Sequence, residues 1–419
     1  MNKRSRWGLG ILLVLLCLVI AGALWLERQK GAGAGEQALK PHSIVTSISG
    51  DPRTSRSFTW FTDDAAAGSV IQWIKGAAAN GFEGGEAMEA AGSAAAIKTG
   101  EKTVRGVHKI SLTGLTPGTE YTYRVGSGKP GGWSEAQTFT TEGEAEQGFS
   151  FINVTDSQGE TKTDFELWGR TLDKAFSIFP QARFIVHNGD LTEDPTDEAA
   201  WRDFFEAGKR WLTRIPMQPV TGNHDEIDKN ADRFGAHFML PANGAERSNP
   251  GTTYSFDYGN AHIVVLNTES NMDIQTEWLR KDLSATDKPW KIVAMHRGAY
   301  GGSSYKKAVE KWVPLFDEFK VDLVLQGHNH EYSRSYPLRG GKVTGDGVAP
   351  VTGRQGTVYV VTNTSGPKFN EKKDDQWYHK VHFQNGVQMF AGITVEGGTL
   401  TYEAYDATGK RLDTFRIQH

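Results

Sequence analysis

From about residue 147 onward, short apolar β runs alternate with helical stretches, and this alternation restricts the fold more than any other feature of the chain. The apolar runs include 149–155, 182–188 and 290–296. Helices are expected between such runs, near 163–178, 197–213, 274–284 and 304–319. Strands that alternate with helices are typical of an α/β domain. The segment 389–418 reverts to a β-meander and is expected to pair with the same core.

Residues 41–143 have a different, all-β pattern. Short alternating runs are separated there by glycine, proline, aspartate and asparagine, which predicts a small antiparallel sandwich. The stretch 112–125 resembles the end of a fibronectin type III domain, with Leu115, Pro117, Tyr121 and Tyr123 at the matching positions. Two interpretations of this module stay open: a spacer, or a domain whose edge contributes to a binding site.

The N-terminus carries an uncharged run of twenty residues, 7–26, directly after three basic residues. Such a run is long enough to span a bilayer as a hydrophobic helix. Ala21-Gly22-Ala23 also resembles a signal-peptidase site. An uncleaved anchor and a cleaved signal are both compatible with these features, and both predict an extracytoplasmic protein. The predicted parts are therefore a signal or anchor plus linker (1–40), the β domain (41–143) and the α/β domain (147–419).

Composition excludes several classes of function. The chain has 46 basic and 50 acidic residues and a net charge of −4, so no basic field points to nucleic acid. The only cysteine is Cys17, within the first hydrophobic run, which excludes disulfides and cysteine-ligated metals in the rest of the chain. A metal site would have to use histidine, carboxylate, amide or tyrosine ligands.

Polar side chains follow five of the predicted buried strands. Because the carboxyl ends of strands in an open α/β sheet share one rim, these side chains are expected to lie together. Each of these side chains alone is explained by a turn or a helix cap. Turns and caps do not explain why all five strand ends carry residues of the metal-ligand type. The residues are Asp156 and Gln158, Asp190 and Glu193, Asn223, His224 and Asp225, His296, and His328 with His330.

This set is too large for one metal ion. Three histidines, two aspartates and one asparagine exceed the four ligands of a tetrahedral zinc. They suit two ions that share a bridging carboxylate, an arrangement used in phosphoryl chemistry.

Five stretches in this order, "TDSQG", "NGDLTE", "TGNHDE", "AMHRGAY" and "GHNHEYSRSYP", resemble the calcineurin-like metallophosphoesterases. The fibronectin-like module and the closing β-meander resemble the purple-acid-phosphatase-like branch of that family. The resemblance covers about 41–419 and implies a four-layer α/β/β/α sandwich with a dimetal site. Its implied ligands are Asp190 as the bridge, Asp156 and His330 for the first metal, and Asn223, His296 and His328 for the second.

The resemblance also implies catalytic roles. His224 would lie beside the leaving group, oriented by Asp225, and would protonate that group or stabilise its charge. A metal-bound hydroxide would attack the phosphorus in line. The substrate would be a phosphomonoester or a phosphodiester, and the enzyme an exported one.

Two positions depart from the family pattern. Purple acid phosphatases have a tyrosine where this chain has Glu193, and many other members have a histidine where it has Gln158. Gln158 could complete the first metal's shell through its amide oxygen, or Glu193 through its carboxylate. Without a tyrosinate, a stable ferric ion is not expected. The cofactors are therefore two divalent ions from among Mn, Fe, Zn, Mg and Ca.

Several other residues have separate interpretations, outside the predicted metal ligands. Substrate binding is considered for His187, Arg297 and Tyr300. The run 370–377 is interpreted as a solvated loop, with the substrate rim as the alternative. Arg334 is interpreted as an ion-pair partner, and His237 and His262 as histidines that bind no metal.

A competing hypothesis is a surface adhesion or scaffold protein whose catalytic domain has decayed. The β module and the anchor would suit that role. However, all six ligand positions and His224 retain residues of a competent type, which favours the hydrolase.

Overall fold

The computed structural model describes residues 35–77, 81–83, 85–99, 103–143, 148–352 and 354–419. The hydrophobic run 7–26 lies outside these residues. Within the described part of the chain, no helix is both long and apolar enough to cross a bilayer.

Two four-stranded antiparallel sheets form the N-terminal sandwich. The first has the order β1 (His42–Ser47), β2 (Arg56–Thr62), β6 (Val104–Leu112) and β5 (Ser93–Lys98). The second has the order β4 (Met88–Ala91), β3 (Val70–Lys75), β7 (Glu120–Gly126) and β8 (Gln137–Thr140). Alternate residues of facing strands, among them Phe58, Trp60, Ile71, Tyr123 and Phe139, are buried between the sheets. This is the arrangement that the alternating pattern predicts.

Two seven-stranded mixed sheets follow. The first has the order β11 (Met217–Pro219), β10 (Ile185–His187), β9 (Gly148–Val154), β22 (Met389–Glu396), β23 (Thr399–Asp406), β24 (Arg411–Gln418) and β19 (Val351–Thr352). The second has the order β12 (Tyr254–Tyr258), β13 (Ala261–Leu266), β14 (Trp290–Arg297), β15 (Leu323–Gly327), β20 (Val358–Thr362), β16 (Tyr332–Ser335) and β21 (His379–Phe383). A hairpin of β17 (Leu338–Arg339) and β18 (Lys342–Val343) lies apart from both sheets. As expected, the C-terminal meander pairs with the core, through β22 against β9.

Six helices cover the outer faces of the two sheets: α1 (Lys162–Ile178), α2 (Glu198–Leu212), α3 (Asp232–His237), α4 (Met272–Ala285), α5 (Lys306–Lys311) and α6 (Val313–Phe319). Apolar side chains of α1 and α2 pack on the first sheet, and those of α4 to α6 pack on the second. A third buried cluster joins the two sheets face to face. The layers are therefore α/β/β/α.

The segment expected to form one helix over 304–319 is divided into α5 and α6 at Trp312. Pro314 lies in the first turn of α6, where a missing backbone N–H is tolerated. A continuous helix would have placed that proline in its interior.

The sandwich is docked directly on the α/β domain. The Lys109 ammonium donates to the carbonyls of Gly235 and Phe238, and the buried Tyr123 hydroxyl donates to the Thr213 carbonyl at 2.6 Å. Hydrogen bonds link the backbone of Ile48 with the Gln218 side chain. These contacts make the module part of the packed structure.

Candidate metal centre

The polar strand ends of both large sheets meet at one edge of the molecule. In the first sheet, β9 and β10 are parallel neighbours, and so are β10 and β11. In the second sheet, β14 and β15 are parallel neighbours. Because parallel strands end on the same side, the segments that follow them converge, and both sheets contribute to one site.

Five side chains at this edge are carried by backbone in the left-handed region. The φ angles are 51° at Asp156, 29° at Gln158, 55° at Asp190, 71° at His328 and 47° at His330. Such a conformation costs on the order of 1–3 kcal/mol for a residue other than glycine and persists only where the surroundings fix it. Strain of this kind clusters at functional sites.

Glycines allow the ligand segments to approach one another. A Cβ at Gly222 would come within 2.2 Å of Asp190 Oδ1, and one at Gly327 within 2.2 Å of Thr155 Oγ1. Any larger residue at these two positions would push the carboxylate-bearing segments apart.

Two groups of ligand-type atoms share one carboxylate. Asp156, Asp190 and His330 form the first group, and Asp190, His296 and His328 form the second; within each group the atoms lie within 4.8 Å of one another. The Asn223 side-chain oxygen lies 3.3 Å from His296 Nε2, beside the second group. Asp190 is thus in the position of a bridge.

Backbone carbonyls orient two of the histidines. His296 donates from Nδ1 to the Asn188 carbonyl at 2.8 Å, and His330 donates from Nδ1 to the Lys368 carbonyl at 3.0 Å. Each Nε2 then faces a carboxylate: Asp190 Oδ2 at 3.1 Å for His296 and Asp156 Oδ1 at 3.0 Å for His330. Metal-binding histidines are commonly held in this way, with the second nitrogen donating to the protein.

The buried charges of the site perturb its ionisation. Burial lowers the pKa of His296, but the charge and hydrogen bond of Asp190 outweigh it and raise that pKa to about 10. Burial likewise opposes the protonated form of His330, and Asp156 reverses this and raises its pKa. Burial raises the pKa of Asp156, and His330 more than offsets that effect, so the net shift is downward. Protons on the two histidines balance the carboxylates, and cation binding would release them.

The two residues that depart from the family pattern, Gln158 and Glu193, lie side by side. The Gln158 amide donates from Nε2 to Glu193 Oε2 at 2.7 Å, and the Lys368 ammonium forms an ion pair with the same oxygen. Gln158 Oε1 is buried and has no hydrogen-bond partner among the described residues. A buried polar oxygen normally has a partner, so Oε1 is a candidate metal ligand, whereas the Glu193 carboxylate is already neutralised.

His224 lies at the edge of the site with one nitrogen held. It donates from Nδ1 to the Glu193 carbonyl at 2.8 Å, which leaves Nε2 for another partner. We expected Asp225 to orient this ring, and the structure differs: the Asp225 carboxylate accepts backbone N–H groups of Asp190, Leu191 and Gly222 at 2.7, 3.0 and 2.9 Å. Asp225 therefore holds the loop that carries Asp190. His224 is held instead by the backbone carbonyl of Glu193.

A cavity of about 250 Å³ opens above these groups. It is lined by Gln158, Asp190, Asn223, His224, His328, Asn329, His330, Lys368, Asn370 and Lys373. Asn370 and Lys373 belong to the run 370–377, which is exposed throughout, as expected of a solvated loop, and these two residues also line the cavity. Lys368 was missed because it lies in a long polar loop after β20, where no strand-end pattern marks it.

The expectation of substrate binding by His187 and Tyr300 differs from the structure. His187 does not reach the rim, because it is fully buried. It forms a hydrogen bond of 3.0 Å with the Ser157 hydroxyl, and its ring packs edge-on against Trp168. Burial lowers its pKa to about 3, as expected for a neutral core histidine. Tyr300 is also buried, with its ring against Tyr359 at a centroid distance of 4.8 Å.

Arg297 contacts a ligand. It donates from Nη1 to His328 Nε2 at 2.8 Å and from Nε to the Glu269 carboxylate at 2.9 Å. The guanidinium and burial together hold the pKa of His328 low, at about 3, with burial the larger cause. Arg297 thus positions and polarises His328.

The interpretation of Arg334 as an ion-pair partner agrees with the structure. Arg334 forms a buried bidentate ion pair with Asp413. His262 bridges Asp257 and Asp282, and His237 lies beside Glu198 at 3.4 Å, stacked on Trp201.

Comparison with known proteins matches both parts of the chain to families. Residues 41–141 match the purple acid phosphatase N-terminal domain, and residues 150–332 match the calcineurin-like phosphoesterase family. An acid phosphatase type 7 from Mus musculus is 26% identical over 83% of this chain and 86% of its own length. Purple acid phosphatase 23 from Arabidopsis thaliana is 28% identical over 54% of this chain and 57% of its own length.

The fold is similar to that of a purple acid phosphatase from yellow lupin seeds. That structure has a TM-score of 0.77 and 18% identity, and the match covers 91% of this chain and 74% of the lupin chain. The metal-type residue groups described above lie within the matched phosphoesterase region. The chain thus carries a purple acid phosphatase N-terminal domain at 41–141 and a calcineurin-like phosphoesterase domain at 150–332.

Proposed function

We propose that this enzyme hydrolyses phosphomonoesters with the help of two divalent metal ions. The observation that carries the proposal is the pair of ligand groups that overlap at Asp190. One carboxylate common to two groups is the arrangement required when two ions act on one phosphoryl group.

The residues present fit two ions. Asp156, His330 and Gln158 Oε1 would hold the first; His296, His328 and Asn223 would hold the second, and Asp190 would belong to both. When bound, the ions supply an activated water and neutralise charge on the phosphoryl oxygens. Gln158 is favoured over Glu193 because its Oε1 has no other partner among the described residues, whereas Lys368 neutralises Glu193. Because no tyrosinate is among these ligands, divalent ions are favoured over ferric iron, and the candidates are Mn, Fe(II), Zn, Mg and Ca.

His224 is proposed to donate a proton to the leaving oxygen. Its Nδ1 is held by the Glu193 carbonyl, and the ring lines the cavity, so Nε2 is the nitrogen available to the substrate. In the imidazolium form the ring carries a second proton at Nε2, which it can deliver to the leaving oxygen without reorienting, leaving the neutral ring protonated at Nδ1.

The cavity lining favours monoesters. Lys368, Lys373 and the amides of Asn329 and Asn370 contribute donors and positive charge around the ligand groups. A dianionic monoester gains more from this lining than a monoanionic diester does. The names of similar proteins, acid phosphatase type 7 and a phosphoenolpyruvate phosphatase from Allium cepa, support the same substrate class.

Export is part of the proposal. The uncharged run 7–26 after a basic start supports it. A reporter fused after residue 40 that is active only outside the cytoplasm would test it.

The test of the activity is hydrolysis of para-nitrophenyl phosphate and of bis-para-nitrophenyl phosphate after chelation and readdition of Mn²⁺, Fe²⁺ or Zn²⁺. We expect metal-dependent release from the monoester at a kcat/KM at least tenfold above that for the diester. Asp190→Asn should lose both metal and activity. The exposed Asp287→Asn, the same chemical change outside the site, should lose neither. Absence of hydrolysis with every ion would overturn the proposal, and a preference for the diester would overturn its substrate class.

A further inference from the structure

A second cluster of ligand-type side chains lies outside the catalytic centre. Asp375, His379 and His382 place one ligand atom each within 4.8 Å of one another. They come from the loop before β21 and from β21 itself. We propose that this cluster is a binding site for a transition-metal dication of the zinc type.

The hydrogen bond of His379 to a backbone carbonyl determines which of its two nitrogens can bind a metal. Its Nε2 lies 2.8 Å from the Gly301 carbonyl, and a carbonyl only accepts, so Nε2 carries the proton. Nδ1 therefore has the lone pair; it accepts a hydrogen bond from the backbone N–H of Gln376 at 3.0 Å, which a bound ion would replace. A metal-binding imidazole typically donates its other N–H to a backbone carbonyl or a carboxylate.

Both nitrogens of His382 face carboxylates. Its Nδ1 is 2.9 Å from Asp375 Oδ1, and its Nε2 is 3.1 Å from Glu331 Oε2. The Nε2 contact is close but poorly aligned, so this buried nitrogen has no hydrogen bond among the described residues. Glu331 is fully buried, and its Oε1 has no partner there either. A buried carboxylate beside an incompletely paired imidazole is stabilised by positive charge.

The donor set matches a particular class of ion. Two imidazole nitrogens and one carboxylate oxygen form a three-ligand zinc site, with a fourth position left for water. The Asp375 side chain is 71% exposed, so an ion can enter from solvent. Lys372 pairs with Asp375 at 2.6 Å and would be displaced; an exposed pair of this kind costs little to break.

Occupancy would affect the rim of the catalytic cavity. Asn370 and Lys373 line that cavity and precede Asp375 on the same loop. The Lys373 backbone N–H donates to Glu331 Oε2 at 2.9 Å, the carboxylate that faces His382. An ion held by Asp375 and β21 would therefore fasten this rim loop at its far end.

The test uses full-length, tag-free Asp190→Asn protein, so that the catalytic centre does not obscure the result. Zn²⁺ binding is measured by competition with a chromophoric chelator, and Co²⁺ binding by its visible absorption. We expect one equivalent of Zn²⁺ and a Co²⁺ spectrum typical of tetrahedral coordination. Adding Asp375→Ala or His379→Gln should weaken binding at least tenfold, whereas the adjacent, exposed Asp374→Ala should not.

Two outcomes would overturn the inference: an Asp190→Asn protein that takes up no Zn²⁺, or Zn²⁺ binding that Asp375→Ala and His379→Gln leave unchanged. The first would leave Asp375, His379 and His382 as an ion-pair cluster. Because binding is measured without the catalytic ions, neither outcome depends on the proposed phosphatase activity.

Discussion

Replacing His262 with glutamine should destabilise the protein in a pH-dependent way. This histidine lies near the start of β13, away from the strand end where the metal ligands meet. Its Nδ1 is 2.7 Å from Asp257 Oδ1 and its Nε2 is 2.8 Å from Asp282 Oδ2, so the protonated ring makes two charged hydrogen bonds.

The size of the effect follows from the pKa of His262. Burial lowers this pKa, but the bonds to Asp257 and Asp282 outweigh it and raise the value from 6.5 to about 9. The folded pKa is the higher one, so the stabilisation is complete below pH 6.5 and is lost as pH rises through 9. A rise of about two and a half units corresponds to roughly 3 kcal/mol, and screening at the half-exposed Asp257 reduces it to about 2 kcal/mol.

Urea unfolding of the wild type and of His262→Gln at pH 6 and at pH 10 would measure this contribution. The free energy of unfolding lost by the variant should be about 2 kcal/mol larger at pH 6 than at pH 10. Turnover of the folded variant should be unchanged. An equal loss at both pH values would show that His262 is not held protonated by its neighbours.

Three further changes probe the catalytic centre. Gln158→Leu should weaken binding of one metal ion at least tenfold, measured by metal content after dialysis; two ions retained at full affinity would exclude Oε1 as a ligand. Lys368→Met should raise KM for a phosphomonoester about tenfold with little change in kcat, and an unchanged KM would remove Lys368 from substrate binding. Asp225→Ala leaves three buried N–H groups unpaired and should lower the free energy of unfolding by about 3 kcal/mol or more; a loss below 1 kcal/mol would contradict this account.

The strand ends could be predicted from the sequence because burial leaves a local signature. The run 323–325 is apolar on both faces, and the polar and glycine residues that follow it mark the end of the strand. Parallel strands end on one side, so His328 and Asp190 could be assigned to one edge without knowledge of the sheet order. The structure brings them together from two different sheets.

Other parts of the site depend on contacts that no local pattern records. Lys368 is placed by its pairing with Glu193, far away in sequence. His187 is the last residue of a strand, but it is fully buried, with Trp168 packed edge-on against it. Asp225 belongs to a ligand motif, yet its carboxylate turns toward the backbone. The position of a residue along a strand predicts which residues lie near it. The direction of its side chain depends on packing against residues that are distant in sequence.

The docked sandwich also has a consequence for how the enzyme would work when tethered. Lys109 and Tyr123 hold the sandwich against α2, α3 and the segments that follow them, so residue 42 and the cavity are parts of one unit. If the run 7–26 stays in a membrane, the length of chain before residue 35 sets how far the enzyme reaches. The sandwich, which follows that run in the chain, would then be anchored together with the cavity as one unit.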